Sequence, residues 1–145
     1  ECAGLSDSVK VYAIEKNSEA VELLYENRKK FALTNLEIIA GTAPEALEDL
    51  PAPTHVFIGG SSGKMEEVIA LCLKKNPETR FVVNLITPES LAAVLEAVKT
   101  LPVTEPDLLT LTAARSKKVG SSHLMMGQNP VWIVTFEGKI CVSRM

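Results

Sequence analysis

Val11-Tyr-Ala-Ile-Glu15 is an apolar strand that ends in an acid, and Lys16-Asn17-Ser18 then leads into an amphipathic helix. In an open α/β sheet, ligands bind at the carboxyl ends of strands. An acid at a strand tip can there accept two hydrogen bonds from ribose hydroxyls. The same placement serves NAD enzymes and S-adenosylmethionine enzymes, so Glu15 indicates adenosine and not which cofactor. The Gly-rich turn expected ahead of this strand on either reading is absent from the sequence. Glu1-Cys-Ala-Gly-Leu5 reads as the last turn of a helix whose start is cut away.

Outward from that strand, β and α signals alternate. The strand spans Lys10–Ile14, and Ser18–Phe31 follows with Ala20, Leu23, Leu24, Asn27 and Phe31 at helical spacing. Leu36–Ala40 is a second strand, ended by Gly41. Thr42-Ala-Pro-Glu45 fits a capping box opening a short helix through about Leu50, and Pro51-Ala-Pro53 stops it. His55–Ile58 is a third strand, breaking into Gly59-Gly-Ser-Ser-Gly63, and Met65–Leu73 is the helix after it. Arg80–Leu85 is a fourth strand. Thr87-Pro88 starts a helix buried along Leu91, Val94, Leu95, Val98 and Leu101. After Pro102 come two strand-like runs, Asp107–Ala114 and Pro130–Glu137, with a long loop over 115–129. The alternation predicts a parallel sheet covered on both faces. The last two strands predict an antiparallel hairpin closing one edge, the pattern of class I methyltransferases.

Composition limits the alternatives. The chain has 145 residues, 46% of them hydrophobic, enough for a single domain with a real core. A formal net charge of −3 excludes a global basic field for nucleic acid, so any basic site must be local. Cys2, Cys72 and Cys141 lie far apart with no metal spacing, and they read as reduced packing thiols of a cytoplasmic protein. No metal site is expected. No apolar run has the length of a membrane span, and nothing resembles a signal peptide.

The candidate sites lie at strand tips and in the long loop. Glu15 and Gly41-Thr42-Ala43 end adjacent strands and could form one wall of an adenosine pocket, ribose on the first and adenine on the second. The backbone N–H of Ala43 and the Thr42 hydroxyl are free to face the base, although Thr42 could equally be a helix cap. Gly59-Gly-Ser-Ser-Gly63 allows positive φ and close approach to a ligand. It reads as a loop beside a reacting group, a phosphate loop or a plain turn, and its spacing matches neither phosphate motif. Arg115-Ser-Lys-Lys118 with Gly120-Ser-Ser-His123 is a basic cluster in an acidic chain. It is either solvated or a docking surface for a polyanion. The chain has one Trp, two Tyr and four Phe, none in this loop, so the usual stacking platform for RNA is missing. His123 is a weak general acid–base candidate; His55 reads as structural and Trp132 as core.

Val11–Asn17, Asn35–Leu50, His55–Gly63, Val82–Thr87 and Ala114–Pro130 resemble the decarboxylating precorrin-6B methyltransferase family of cobalamin biosynthesis. The specific stretches are Val-Phe-Ile-Gly-Gly-Ser-Ser-Gly and Arg-Ser-Lys-Lys-Val-Gly…Gln-Asn-Pro-Val. The resemblance implies a Rossmann-like class I methyltransferase sheet, here without the first strand and Gly-rich loop. It also implies S-adenosylmethionine as cofactor and C15 methylation of a (cobalt-)precorrin with loss of the ring C acetate carboxyl. Cofactor residues are then Glu15, Lys16, Thr42, Ala43, Gly59 and Gly60. Substrate residues are Ser61, Arg115, Lys117, Lys118 and His123, and no residue is identified as the decarboxylation catalyst. Thr42 stands where the family often has Asp. Alternatives are a non-catalytic partner domain of the same fold, or an RNA methyltransferase. The missing first strand belongs between Lys10–Ile14 and His55–Ile58. Those two strands should therefore pair directly, or another copy or segment should fill the gap, and either way a homo-oligomer is expected.

Overall fold

The computed structural model describes residues 1–60 and 63–140. They form two compact units, Glu1–Leu50 and Pro51–Met145.

The first unit is a βαβ crossover. A 3-10 turn at Cys2–Gly4 precedes β1 (Val11–Glu15), α1 (Ser18–Lys30) and β2 (Leu36–Ala40). The two strands are parallel, in register from Val11 opposite Leu36 to Glu15 opposite Ala40. A parallel pair requires a crossover element, which α1 supplies. The helix starts where the Asn17 side chain accepts the Ala20 N–H at 3.1 Å. Glu19 in its first turn and Arg28, Lys29 and Lys30 in its last complement its dipole.

Its packing stripe is narrower than the sequence predicts. Ala20, Val21 and Leu24 are half-buried, whereas Leu23, Asn27 and Phe31 are exposed. A helix resting on only two strands buries one narrow line of residues. The segment before β1 is tied down by Asn35, whose buried amide nitrogen donates to the carbonyls of Ala3, Ser6 and Val9 at 2.8–3.0 Å.

The predicted capping box does not form. Residues 45–47 make a single 3-10 turn (Glu45–Leu47) behind a cis Ala43–Pro44 bond, with Pro44 as its N-cap and no side-chain cap. The Thr42 carbonyl, not its hydroxyl, serves this turn, accepting the Ala46 N–H at 2.9 Å.

The second unit contains β3 (His55–Ile58), α2 (Met65–Lys75), β4 (Arg80–Leu85), α3 (Pro88–Thr100) and β5 (Asp107–Leu111). β6 (Ala114–Val119), β7 (Ser122–Gly127) and β8 (Val131–Glu137) complete it. Its main sheet has the order β3-β4-β8-β5. β3 and β4 are parallel, and β8 runs antiparallel to both β4 and β5, so the closing antiparallel pair is as predicted. α3 begins on the Thr87 hydroxyl, which accepts the Ser90 N–H at 3.2 Å, with Pro88 in its first turn.

Phe81, Val83 and Leu85 alternate along β4 onto one face of this sheet, beside Val134 and Phe136 of β8. Phe81 and Phe136, directly opposite in register, stack at 5.1 Å between ring centroids. α2 contributes Met65, Val68, Ile69, Cys72 and Leu73 to this core, and α3 contributes Val94 and Ala97. The other face carries Phe57, Leu109 and Leu111, each at least half exposed. Within this unit α2 and α3 cover one face. Trp132, expected in the core, is half-buried.

One expectation fails outright, and of the two routes expected for the β1 and β3 edges the direct pairing is not seen. The 115–129 segment is not a loop: β6 and β7 form an antiparallel hairpin of their own. Nor do β1 and β3 pair. Each has one ladder partner, β2 and β4 respectively, among the described residues.

Candidate functional site

In the first unit, the register brings two predicted strand tips side by side. Glu15 is opposite Ala40, and the Gly41 N–H donates to the Glu15 carbonyl at 3.0 Å. The Glu15 carboxylate is partly committed to the turn: Oε1 accepts the Asn17 N–H at 2.8 Å. That bond fixes the side chain at the strand tip before any ligand arrives. Gly41 sits close to the next turn, and a Cβ there would stand 3.1 Å from the Ala46 Cβ. Because the Thr42 hydroxyl caps nothing, it stays available at the second tip together with Ala43. Lys16, next in sequence to Glu15, is exposed. A fixed acid beside an uncommitted hydroxyl at adjacent tips fits the nucleoside end of S-adenosylmethionine.

In the second unit, Gly59 and Gly60 follow Ile58 at the carboxyl tip of β3, and both are exposed. Gly63 has φ +85°, a left-handed conformation that glycine adopts without steric cost. Ser61 lies outside the described residues.

The basic cluster has a definite shape. The last residue of β4, Leu85, is opposite Trp132, and Leu111 is opposite Val131. The chain between Leu111 and Val131 therefore leaves the sheet at the carboxyl end of β4. This is the end where Gly59 and Gly60 lie, since Ile58 is opposite Val83. Val119 and Ser122 close the hairpin around Gly120-Ser121, with Gly120 at φ +62°. Positive φ at the first turn residue alone is the type II′ pattern, whose twist matches antiparallel strands. Gly-Ser between two runs of strand-compatible residues is the sequence signal for this hairpin.

All residues of both hairpin strands are exposed. The register divides the four predicted substrate residues that lie on the hairpin. Arg115 is opposite Met126 and Lys117 opposite Leu124 on one face, whereas Lys118 is opposite His123 on the other. The structure thus brings together Arg115 with Lys117, and Lys118 with His123, but not all four. Among the described residues no group of acids, histidines and cysteines could hold a metal ion, and no helix is long and apolar enough to cross a membrane.

A βαβ crossover with an acid at its first tip, and a sheet closed by an antiparallel pair, define a class I methyltransferase fold. A crystal structure of a precorrin-6y C5,15-methyltransferase from Geobacter metallireducens superposes with a TM-score of 0.83 at 29% identity. It covers 93% of this chain and 71% of that one. The family model described as a precorrin methyltransferase domain matches residues 2–137, and the chain belongs to that family. Among curated relatives, a Sulfurisphaera tokodaii protein is 35% identical over 127 residues, 86% of this chain and 65% of its own length. It is named probable cobalt-precorrin-6B C(15)-methyltransferase (decarboxylating). The cobalt-precorrin-6B C(15)-methyltransferase (decarboxylating) of Salmonella typhimurium is 31% identical over 128 residues, 88% of this chain and 66% of its own length. The chain spans just under two thirds of the length of these relatives.

Proposed function

We propose that the protein methylates C15 of (cobalt-)precorrin-6B from S-adenosylmethionine and removes the ring C acetate carboxyl, as a step of cobalamin biosynthesis. The observation that carries this reading is the family match over residues 2–137. The names of the relatives that share the family supply the substrate and the decarboxylation.

Bound at these strand tips, S-adenosylmethionine supplies a methyl group already activated as a sulfonium, so the protein needs little acid–base chemistry. Glu15 accepts hydrogen bonds from the ribose diol, with the Asn17 bond holding its carboxylate in place beforehand. Lys16 flanks the ribose; Thr42 and the Ala43 N–H meet the adenine edge. Gly59 and Gly60 let the backbone approach the reacting carbon. The cationic hairpin takes the carboxylates at the rim of the tetrapyrrole. Alignment of the two reactants and exclusion of water are the protein's share of the rate enhancement.

The protein acts as a homo-oligomer on this reading. The hairpin pairs with no other strand among the described residues, and Val119, Leu124, Met125 and Met126 on it are 46–67% exposed. A lone two-stranded hairpin is marginally stable in water, and β1 and β3 each keep an edge that can recruit another chain. Methyl-labelled S-adenosylmethionine offered with precorrin-6B and with bulk tRNA tests the function. Label is expected in the tetrapyrrole alone, and label in RNA alone would reject the reading.

A further inference from the structure

The proposed function leaves open which side of the hairpin meets the substrate. We infer that the Arg115–Lys117 face of the β6–β7 hairpin binds the carboxylated rim and apolar body of the tetrapyrrole, and that the Lys118–His123 face does not. This inference rests on the proposed function.

Opposite residues of an antiparallel pair share a face, and successive residues alternate. One face therefore carries Arg115, Lys117 and Val119 from β6 with Met126 and Leu124 from β7. Each of its two permanent cations has an apolar side chain directly across. Arg115 and Lys117, two positions apart on one strand, stand about 7 Å from each other, the repeat of a strand. The ligand that matches this surface has several anionic groups along its edge and an apolar middle, which is the chemistry of a carboxylated tetrapyrrole.

The other face matches it poorly. Its one permanent cation, Lys118, is opposite the polar imidazole of His123 and not an apolar side chain. Met125 is its only large apolar residue, among Ala114, Ser116 and Gly127.

Charge supports the same occupant. The sequence contains no Asp or Glu from Leu108 to Phe136, although the chain as a whole carries −3. Neither Arg115 nor Lys117 has a carboxylate partner among the described residues. Their charges are uncompensated at the carboxyl end of the sheet, and an incoming polyanion meets no acid on either strand of the hairpin.

The test is the KM for cobalt-precorrin-6B in the whole protein, compared between Arg115→Ala/Lys117→Ala and Lys118→Ala/His123→Ala. Loss of two charge-assisted contacts should raise KM by at least about tenfold in the first pair. The second pair should produce the smaller rise. Dissociation constants for S-adenosylmethionine should stay within about twofold, as should melting temperatures within error, because all four side chains are exposed. Arg115→Lys, which keeps the charge, should recover part of the loss. An equal or larger rise in the second pair, with the unaltered protein active, overturns the inference and leaves the proposed function intact. An unaltered protein that does not turn over the tetrapyrrole overturns the proposed function, and the inference with it.

Discussion

Glu15 holds its own turn, and the proposed function gives the same strand-tip carboxylate the ribose. Oε1 holds the Asn17 N–H at 2.8 Å, and Asn17 in turn caps α1 through the Ala20 N–H. Glu15→Ala should therefore cost roughly 1.5–3 kcal/mol of S-adenosylmethionine affinity, the range for hydrogen bonds to a charged group. Glu15→Gln keeps an acceptor for Asn17 and separates the two roles. It should lose cofactor affinity while the helix start is retained. Calorimetry giving the same affinity for Glu15→Ala as for the parent would remove the residue from the site.

Cys72 is buried in the α2 core, and burial pushes its thiol up from 9.0 to about 11, with the Lys75 ammonium opposing. Above 9.0 the unfolded chain releases a proton that the folded chain retains. The folded state then binds more protons, so stability must fall as pH rises towards 11. Urea midpoints measured across that window should decline more steeply for the parent than for Cys72→Ala. Equal slopes would mean that the thiol titrates normally. Cys2, which is exposed, is expected to react with thiol reagents before the buried Cys72.

Among the elements, those with strong periodicity or clear punctuation could be read from the sequence. Thr87-Pro88 marked the start of α3, and the Leu91–Leu101 stripe gave its buried side. Three features escaped. The Thr42–Glu45 box failed because Pro44 itself takes the N-cap position, leaving no hydroxyl cap. The β6–β7 hairpin reads as a loop because its strands bury nothing, so the Gly120-Ser121 turn is its main signal in the sequence. Leu23 and Phe31 have helical spacing, but a two-stranded sheet is too narrow to cover them.

Gly138 was also invisible in the sequence, and it defines the end of β8. Its N–H donates to the Thr79 carbonyl at 2.9 Å, and it bridges to Val103. A Cβ at this position would collide with the Pro77 carbonyl and crowd the Leu73 side chain. Gly138→Ala should cost about 1–3 kcal/mol, as overpacking does. A chemical denaturation midpoint unchanged by this substitution would show that the β8 end can shift freely.

For the whole molecule, the fold and family were legible because their signals are spread along the chain. Glu15 and the Gly-Gly loop lie at the carboxyl ends of β1 and β3, and the Arg-Ser-Lys-Lys segment lies within β6. The division of the basic residues between two faces was not legible, because it depends on the hairpin register. Glu15 and Thr42 belong to one compact unit, and the glycine loop and the hairpin belong to the other. The most direct test supplies S-adenosylmethionine carrying a ¹³C-labelled methyl group together with cobalt-precorrin-6B, and examines the product by NMR. The proposed function predicts the label on C15 and the ring C acetate reduced to a methyl group by loss of its carboxyl. An unlabelled tetrapyrrole, or a label at another carbon with the acetate intact, would contradict it.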